Sequence, residues 1–253
     1  MTSLFDATAS NFERYRPLPG EVAQAIRSAI WTSAHLPARP RVLDLGAGTG
    51  RIGKAFIAAG DFYVGVDMSL SMLQKFPDDS ESCLLVQADA RQLPFRDGAF
   101  DLVLLMQVLS SVDDWSGMLN EVRRILAGGI VVVGHTVGPE SGIDNQLKRH
   151  LRAILEGMQL AWPRPQESRQ QALAWLESAA VRHIHLNAAS WNVNTTAEEF
   201  LLRHRTGARF AALPVAAQEQ ALGKLRAWVE ARFGSATAEF QEERCFELDI
   251  FEF

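Results

Sequence analysis

Short apolar runs alternate with amphipathic segments along the first half of the chain, from Arg41 to Val137. Each apolar run has the length of a strand and is bounded by Gly, Asp or Pro, and the predicted strands are Arg41–Leu45, Tyr63–Val66, Cys83–Gln87, Phe100–Leu105 and Gly129–Gly134. Each amphipathic segment begins near an Asp, Ser or Thr that can cap a helix, and the predicted helices are Thr49–Ala59, Leu70–Phe76 and Trp115–Leu126. This alternation predicts an α/β fold, a doubly wound sheet with mostly parallel strands.

The pattern changes after Val137, where helical periodicity predominates. The predicted helices are Asn145–Gly157, Gln166–Ala180, Thr196–Arg209 and Val215–Phe233. The remaining segments favour extended structure, namely a strand at Arg182–Trp191 and two apolar runs at Ala236–Arg244 and Cys245–Phe253. We therefore predict a mainly helical insertion over residues 138–213, and a core domain built from residues 1–137 and 214–253.

Composition narrows the range of functions. The 253 residues are 47% hydrophobic, which is enough to bury a substantial core. With 25 basic and 30 acidic residues, the net charge of -5 gives nucleic acid no general attraction to this chain. The N-terminal segment has no apolar stretch long enough for a signal peptide or a membrane span. We expect a cytoplasmic protein, a monomer or a homodimer, with neither nucleic acid nor a membrane as its partner.

The spacing of cysteines and histidines does not predict a metal site. Cys83 and Cys245 lie far apart in apolar runs, and neither has CxxC or Cys/His spacing around it. No HExxH motif is present, although His183 and His185 would share one face of a strand. We predict reduced core cysteines and no bound metal.

A glycine-rich turn follows the first predicted strand, in the run VLDLGAGTG over Val42–Gly50. Glycines let a ligand approach the backbone closely, and the free N–H groups of the next helix face that ligand. Dinucleotides and S-adenosylmethionine (SAM) both suit this geometry. The overlapping run GTGRIG, Gly48–Gly53, also has the G-x-G-x-x-G spacing of an NAD site, so the turn alone does not decide between them.

Three acidic residues favour SAM. Asp44 lies in the strand just before the turn, where a buried carboxylate is costly without partners. A pyrophosphate would add repulsion there, whereas SAM offers an ammonium and a sulfonium group. Asp67, after the second strand, can accept from ribose hydroxyls, and Asp89 with the Ala90 N–H can bind an adenine edge. Alternatively, Asp67 only caps the helix that begins near Leu70, and Asp89 is a turn residue.

Four stretches span about 90 residues in a specific order and spacing: VLDLGAGTG from Val42, VGVDMS from Val64, QADARQLPFRDGAFDLV from Gln87 and LNEVRRILAGG from Leu119. With them the chain resembles the class I SAM-dependent methyltransferases, above all the small-molecule branch (methyltransferase type 11) that includes ubiquinone and menaquinone biosynthesis enzymes. The resemblance implies a Rossmann-like sheet of seven strands with a C-terminal antiparallel strand and a helical lid insertion.

The resemblance also implies a place for each contact with the cofactor. The residues implied at the methionine part are Asp44, Gly46, Ala47 and Gly48, those at the ribose and adenine are Asp67, Met68, Met72, Asp89 and Ala90, and those near the sulfonium are Met106 and Gln107. Tyr15 would close the pocket from an N-terminal helix. For Met72 the alternative is a core position, which is usual for a Met on an apolar helix face.

The sequence departs from this family after the fourth strand, where many relatives have paired histidines in a pattern such as LHHxxD. This chain has LSSVDD over Leu109–Asp114, so an imidazole base is absent there. His135, after the fifth strand, is the remaining candidate for a general base, and the alternative is a hydrogen-bonded turn residue. Because methyl transfer is a displacement at an activated carbon, alignment and exclusion of water can suffice without a base.

The predicted insertion contains aromatic and arginine side chains that are candidates for the acceptor pocket: Trp162, Trp175, Trp191, Phe210, Arg164, Arg203, Arg205 and Arg209. We predict an apolar or aromatic small-molecule acceptor, and an Arg could pair with an acidic group on it. The predicted function is methyl transfer from SAM to that molecule. The alternatives are a SAM-binding protein without catalysis and an NAD-dependent oxidoreductase.

Overall fold

The computed structural model describes residues 16–76, 83–112, 114–160, 165–205 and 208–253. The strands in these ranges are β1 (Arg41–Leu45), β2 (Phe62–Asp67), β3 (Cys83–Gln87), β4 (Phe100–Met106), β5 (Leu126–Val137), β6 (Arg182–Thr196) and β7 (Glu239–Glu252). They form one sheet in the order β3-β2-β1-β4-β5-β7-β6. β1 to β5 pair in parallel, and β7 runs antiparallel to β5 and to β6. The predicted α/β fold with a mostly parallel sheet is confirmed.

The helices in the described ranges are α1 (Gly20–Ser33), α2 (Gly53–Ala58), α3 (Leu70–Leu73), α4 (Trp115–Ile125), α5 (Ile143–Gly157), α6 (Pro165–Ala179), α7 (Ala197–Arg205), α8 (Ala208–Ala211) and α9 (Val215–Phe233). Capping side chains begin α3, α4 and α7, the last through Thr196, which accepts from the Glu199 N–H. Asp114 accepts from the Gly117 N–H at 2.9 Å to begin α4, and Ser69 accepts from the Met72 N–H to begin α3.

The two faces of the sheet bury separate apolar layers. Side chains of α4 and α6 pack against one face, where Val103, Val131 and Val133 project. Side chains of α1 and α2 pack against the other face, on alternate residues such as Leu102 and Val132. Burial on both faces explains why the central strands lack polar alternation.

A third apolar core lies among the helices beyond the sheet. It joins α5, α7, α8 and α9, and it includes Leu147, Phe200 and Leu225. We call the four helices that share this core, α5, α7, α8 and α9, the lid. The sequence-based prediction placed α9, within residues 214–253, in the core domain instead. The observed grouping differs from the predicted one because the apolar side of α9 faces α5 and α7 rather than the sheet. Within the described ranges, no helix is both long and apolar enough to cross a membrane.

Several predicted boundaries were wrong. The predicted helix Thr49–Ala59 begins only at Gly53, because the glycine turn before it has a left-handed backbone. The two predicted C-terminal segments form one strand, β7, because the sheet pairs it with β5 on one side and β6 on the other. Helix α6 and strand β6 both lie inside the predicted insertion. In the structure, α6 covers one face of the core sheet and β6 extends the sheet at its edge.

Candidate functional site

The glycine turn, residues 46–50, lies at the carboxyl end of β1 and is held by strand β2. Its glycines have positive φ angles, at Gly46 (84°), Gly48 (57°) and Gly50 (79°). The N–H groups of Gly46 and Ala47 both donate to the Val66 carbonyl, at 2.8 and 3.0 Å. A Cβ at Gly46 would lie 2.8 Å from the side chain of Val108, so this position requires glycine for space as well as for conformation. The turn is thus a strongly curved backbone segment that is fixed against the sheet.

Asp44 lies directly before this turn and is only 2% exposed. The Tyr63 hydroxyl donates to Asp44 Oδ2 at 2.7 Å, whereas Oδ1 has no hydrogen-bond donor among the described residues. Burial, aided by the charge of the nearby Asp67, raises the pKa of Asp44 to about 7 against the opposing effect of the Tyr63 hydrogen bond. A buried carboxylate oxygen without a donor is a site for a cationic or N–H group of a ligand.

Gly53 makes the contact between Tyr63 and Asp44 possible. A Cβ at Gly53 would overlap the Tyr63 hydroxyl and would lie 2.6 Å from its Cζ atom. Tyr63 is fully buried in β2, so its hydroxyl needs a partner nearby. The last glycine of the GTGRIG run therefore serves a side chain that binds Asp44, and the G-x-G-x-x-G spacing has a structural cause other than a dinucleotide.

Asp67 joins the glycine turn to the end of β2. Its Oδ2 accepts from the Gly48 N–H at 2.9 Å, and its Oδ1 accepts from the Ser69 N–H at 2.8 Å. The N-cap of α3 is Ser69, so the alternative role of Asp67 as that cap is wrong. A carboxylate is also a group that can accept hydrogen bonds from the hydroxyls of a ribose.

Two methionines flank this region. Met72 is 4% exposed, and its Cε would lie 3.6 Å from a Cβ at Gly48, so the side chain packs over the glycine turn. Met68 follows Asp67 and is 42% exposed. Met72 is thus buried, as expected for a core residue, and it also contacts the glycine turn that is predicted to bind the cofactor.

Asp89 and Ala90 lie in the turn after β3, one strand beyond Asp67. The Arg91 guanidinium donates to both oxygens of Asp89, at 2.6 to 3.2 Å, and the Arg91 N–H donates to Oδ1 at 2.9 Å. These hydrogen bonds lower the pKa of Asp89. Asp89 is therefore an ionised turn residue in this structure, and its contact with adenine stays a prediction.

Gln107 ends β4 with a φ of 60°, in a conformation that residues other than glycine rarely adopt. Its Oε1 accepts from Arg51 Nη2 at 2.9 Å, and its Nε2 donates to Thr136 Oγ1 at 2.7 Å. Its N–H donates to the Gly134 carbonyl at 2.8 Å. Gln107 thus joins the glycine turn to the carboxyl ends of β4 and β5, whereas Met106 is 7% exposed in the core.

His135 lies on β5, on the sheet face that α6 covers. Arg169 Nη2 donates to His135 Nδ1 at 2.9 Å and to Asp249 at 3.0 Å, and the His135 Nε2 lies 3.5 Å from Glu247. Burial and the charge of Arg169 lower the pKa of His135 to about 4. The ring is neutral near pH 7, but its Nδ1 lone pair faces a guanidinium. Its role as a base stays a prediction.

Other predicted residues fall outside this description, since Tyr15, Trp162 and Arg164 lie in the undescribed segments and nothing is said of the Arg205 and Arg209 side chains. The structure in turn places residues at the site that the sequence alone did not single out. These are Tyr63 beneath the turn, and Arg51 and Thr136 on either side of Gln107. A signal for Tyr63 was present, because a tyrosine in a buried apolar strand needs a partner for its hydroxyl.

The sequence of this chain is similar to a known protein family and to several curated proteins. Residues 43–133 match the family described as a methyltransferase domain. A demethylmenaquinone methyltransferase of Streptomyces griseus is 32% identical over 139 residues, which cover 53% of this chain and 59% of that protein. One of Mycolicibacterium gilvum is 29% identical over 203 residues, covering 76% of this chain and 86% of that protein. This chain therefore spans somewhat more than half the length of the first of these relatives.

Solved structures share the fold. The YcgJ protein of Bacillus subtilis has a TM-score of 0.56 at 20% identity, covering 90% of this chain and 98% of that one. Phosphoethanolamine N-methyltransferase 2 of Haemonchus contortus, solved with S-adenosylhomocysteine, has a TM-score of 0.53 at 15% identity, covering 98% of this chain and 58% of that one. The chain therefore contains a methyltransferase domain over residues 43–133, and it shares its fold with these solved structures.

Proposed function

We propose that this protein transfers the methyl group of SAM to a small-molecule acceptor at the carboxyl edge of the sheet. The observation that carries the proposal is Asp44, whose buried Oδ1 lacks a donor among the described residues, directly before the glycine turn. The hydroxyl of Thr49, in the same turn, is likewise buried without a hydrogen-bond partner in the described part of the chain. A ligand with an ammonium group would supply the missing donor.

The residues around the turn fit SAM. Asp44 would hold the amino group, with Gly46, Ala47 and Gly48 along the methionine part. Asp67 would accept from the ribose hydroxyls while it keeps the Gly48 N–H in place. The residues proposed at the adenine are Met68, Met72, Asp89 and Ala90. SAM supplies a methyl group on a sulfonium that is already activated for displacement.

The contribution of the protein's own residues to the reaction is to align the acceptor with the methyl group of SAM. Gln107 is fixed by Arg51 on one side and Thr136 on the other, so it presents a rigid wall beside the predicted position of the sulfonium. The lid helices provide a cover that excludes water. The segment between β4 and α4, residues 107–114, contains no histidine, and His135 has its Nδ1 lone pair occupied by Arg169. We therefore propose that the rate enhancement comes mainly from proximity and desolvation.

The demethylmenaquinone methyltransferases among the relatives act, by their names, on a small molecule rather than on nucleic acid or protein. Their similarity supports a small acceptor here. The family match covers residues 43–133, and the lid, which we propose to contact the acceptor, lies outside it. A quinone-like molecule is therefore one of the small-molecule acceptors to be tested.

Two measurements test the proposal. Calorimetric titration should show binding of SAM and S-adenosylhomocysteine, and Asp44→Asn should weaken it, while NAD should not bind. Incubation with methyl-labelled SAM and a metabolite extract should then move label into a small-molecule fraction. Binding of NAD without SAM would contradict the proposal. Tight binding of SAM without any transfer of label would instead indicate a SAM-binding protein without catalysis.

A further inference from the structure

Three arginines converge between the carboxyl edge of the sheet and the lid. Arg203, on α7, donates to both oxygens of Asp144, on α5, at 2.7 Å each. Arg244, on β7, donates to Asp144 Oδ2 at 3.0 Å. Arg16 Nη2 donates to the carbonyl of Arg203 at 3.3 Å. We call Arg16, Arg203 and Arg244 the arginine cluster.

The arginine cluster continues directly into the proposed transfer site. Arg51, next to the glycine turn, donates through Nη1 to the carbonyl of Arg16 and through Nη2 to Gln107. In the sheet register Val137 pairs with Cys245, so Arg244 lies one residue beyond the carboxyl end of β5. The cluster therefore lies on the β4–β5 side of Gln107, away from Asp67, where the ribose is proposed.

These charges are poorly hydrated. The side chains of Arg203, Arg244 and Asp144 are 15%, 17% and 14% exposed. Two carboxylates accompany the cluster: Asp144 bridges two of its members, and Glu242 lies 3.8 Å from Arg244. Buried guanidinium groups interact strongly with a nearby anion because water screens them little.

The pKa values of ionisable groups beside the arginine cluster reflect the charges around them. Burial and the charges of Arg203 and Arg51 lower the pKa of Arg16 to about 10. Burial alone would raise the pKa of Asp144, yet Arg203, Arg244 and Lys148 bring it below its usual range. Burial, followed by the charge of Arg203, lowers the pKa of His204 to about 3. Burial is the larger cause at Arg16 and His204, and the charge of Arg203 acts in the same direction at both, as a locally positive field would.

We propose that the methyl acceptor is an anionic small molecule whose carboxylate or phosphate group binds Arg203 and Arg244 at the arginine cluster. This inference rests on the proposed methyl transfer, because that function places the acceptor beside Gln107. Guanidinium groups bind planar carboxylates and phosphates through paired hydrogen bonds. Arg203 belongs to the lid and Arg244 to the sheet, so one anion bound by both would contact both parts of the structure.

The test uses protein saturated with S-adenosylhomocysteine, so that the carboxylate of the cofactor product already occupies its own position. Inorganic phosphate, benzoate and neutral benzamide are titrated into it by calorimetry in a buffer low in chloride. We expect phosphate or benzoate to bind, and benzamide, which matches benzoate in shape, not to bind. The stronger of the two anions identifies the oxyanion group that the acceptor carries.

Variants then locate the binding. Arg203→Gln and Arg244→Gln are each expected to weaken the better anion by about tenfold or more, the loss of a charge-assisted hydrogen bond. Arg203→Lys retains the charge and should recover part of the affinity. Arg182→Gln is the matched control, because Arg182 pairs with Glu252 at the amino ends of the parallel strands. Unchanged affinity for S-adenosylhomocysteine shows that a variant is folded.

The outcomes separate this inference from the proposed function. Equal binding of benzamide and benzoate, no binding of either anion, or binding that survives both Gln substitutions would overturn the anionic acceptor. Anion binding that disappears once S-adenosylhomocysteine is bound would do the same, since the cluster would then serve the cofactor. Failure of the wild-type protein to bind SAM or S-adenosylhomocysteine would overturn the proposed function, and with it the assignment of the anion as a methyl acceptor.

Discussion

Asp44 combines full burial with only one hydrogen-bond donor, and its pKa of about 7 is the consequence. In the unfolded chain this carboxyl titrates near 3.8, so ionising it in the SAM-free folded protein costs free energy at neutral pH. The penalty is absent below the unfolded pKa, grows as the pH rises, and is complete above about 7.

Asp44→Asn should therefore stabilise the SAM-free protein at pH 8 and leave its stability nearly unchanged at pH 4. The gain is at most about 4 kcal/mol, since each unit of pKa shift corresponds to about 1.4 kcal/mol. Denaturant unfolding of both proteins across this pH range measures it. A difference between variant and wild type that is independent of pH would contradict the assigned titration.

Tyr63→Phe is the companion experiment. The Tyr63 hydrogen bond lowers the pKa of Asp44, so its removal should raise that pKa further. Because an ionised Asp44 is proposed to hold the SAM ammonium, the affinity for SAM should begin to fall at a higher pH in this variant than in the wild type. Titrations of SAM at several pH values measure the shift, and identical pH profiles would argue against the Tyr63–Asp44 coupling.

His135 is tested by His135→Gln, which retains an acceptor for Arg169. Removal of a general base usually lowers turnover by about 100-fold to 10,000-fold. Because the Nδ1 lone pair already faces Arg169 at 2.9 Å, we expect kcat to change by less than about threefold. The pH–rate profile of the variant is the measurement. A fall of the larger size, with loss of an ionisation near pH 4, would instead establish His135 as the base.

At the scale of elements, the glycine turn and α2 position Asp44 through the space that Gly53 leaves. Gly53→Ala places a Cβ against the Tyr63 ring, so we expect a loss of about 1–3 kcal/mol of stability, typical of overpacking. SAM affinity should fall with it, because the hydroxyl is pushed away from Asp44. Thermal unfolding and SAM titration of the same preparation measure both effects.

Gly223→Ala is the matched control. Gly223 lies within α9, and a Cβ there would meet no atom within 4 Å. Alanine is favoured over glycine inside a helix by about 1 kcal/mol, so this substitution should stabilise the protein slightly and leave SAM affinity unchanged. Equal destabilisation by both substitutions would show that the Gly53 effect is not local packing.

At the scale of the whole molecule, the lid has an apolar core of its own, and this separation has a measurable consequence. Leu225→Ala removes a fully buried side chain from that core, at a cost of about 2–5 kcal/mol. Amide hydrogen exchange should then accelerate in α5, α7 and α9 while β1, β4 and β5 stay protected. Methyl transfer should fall more than SAM affinity, because the proposed acceptor contacts are on the lid.

Leu104→Ala provides the comparison, since Leu104 is equally buried but lies in the central strand β4. It should accelerate exchange throughout the sheet and lower SAM affinity together with activity. If the two variants gave the same exchange pattern, the lid and the sheet would unfold as one cooperative unit, and the proposed independence of the lid would be wrong.

Local patterns in the sequence predict β1 and β3 with their observed bounds and the other parallel strands to within a few residues, because a short apolar run between turn residues has few alternatives. The glycine turn and the three acidic residues Asp44, Asp67 and Asp89 were also predictable, since each lies at or near the end of a strand. The bounds of β7 were not. A strand of this length is stabilised by neighbours on both sides, and nothing local records that pairing.

The sequence by itself determined the class of fold, the glycine turn and the acidic side chains around it, because strand periodicity and backbone freedom are local properties. Only the tertiary structure decided which groups these residues meet. Tyr63 reaches Asp44 from the next strand, and Arg203 meets Arg244 at Asp144 across distant parts of the chain. Such contacts depend on packing between elements far apart in sequence, so the chemistry of the acceptor side emerges only when the lid lies on the sheet.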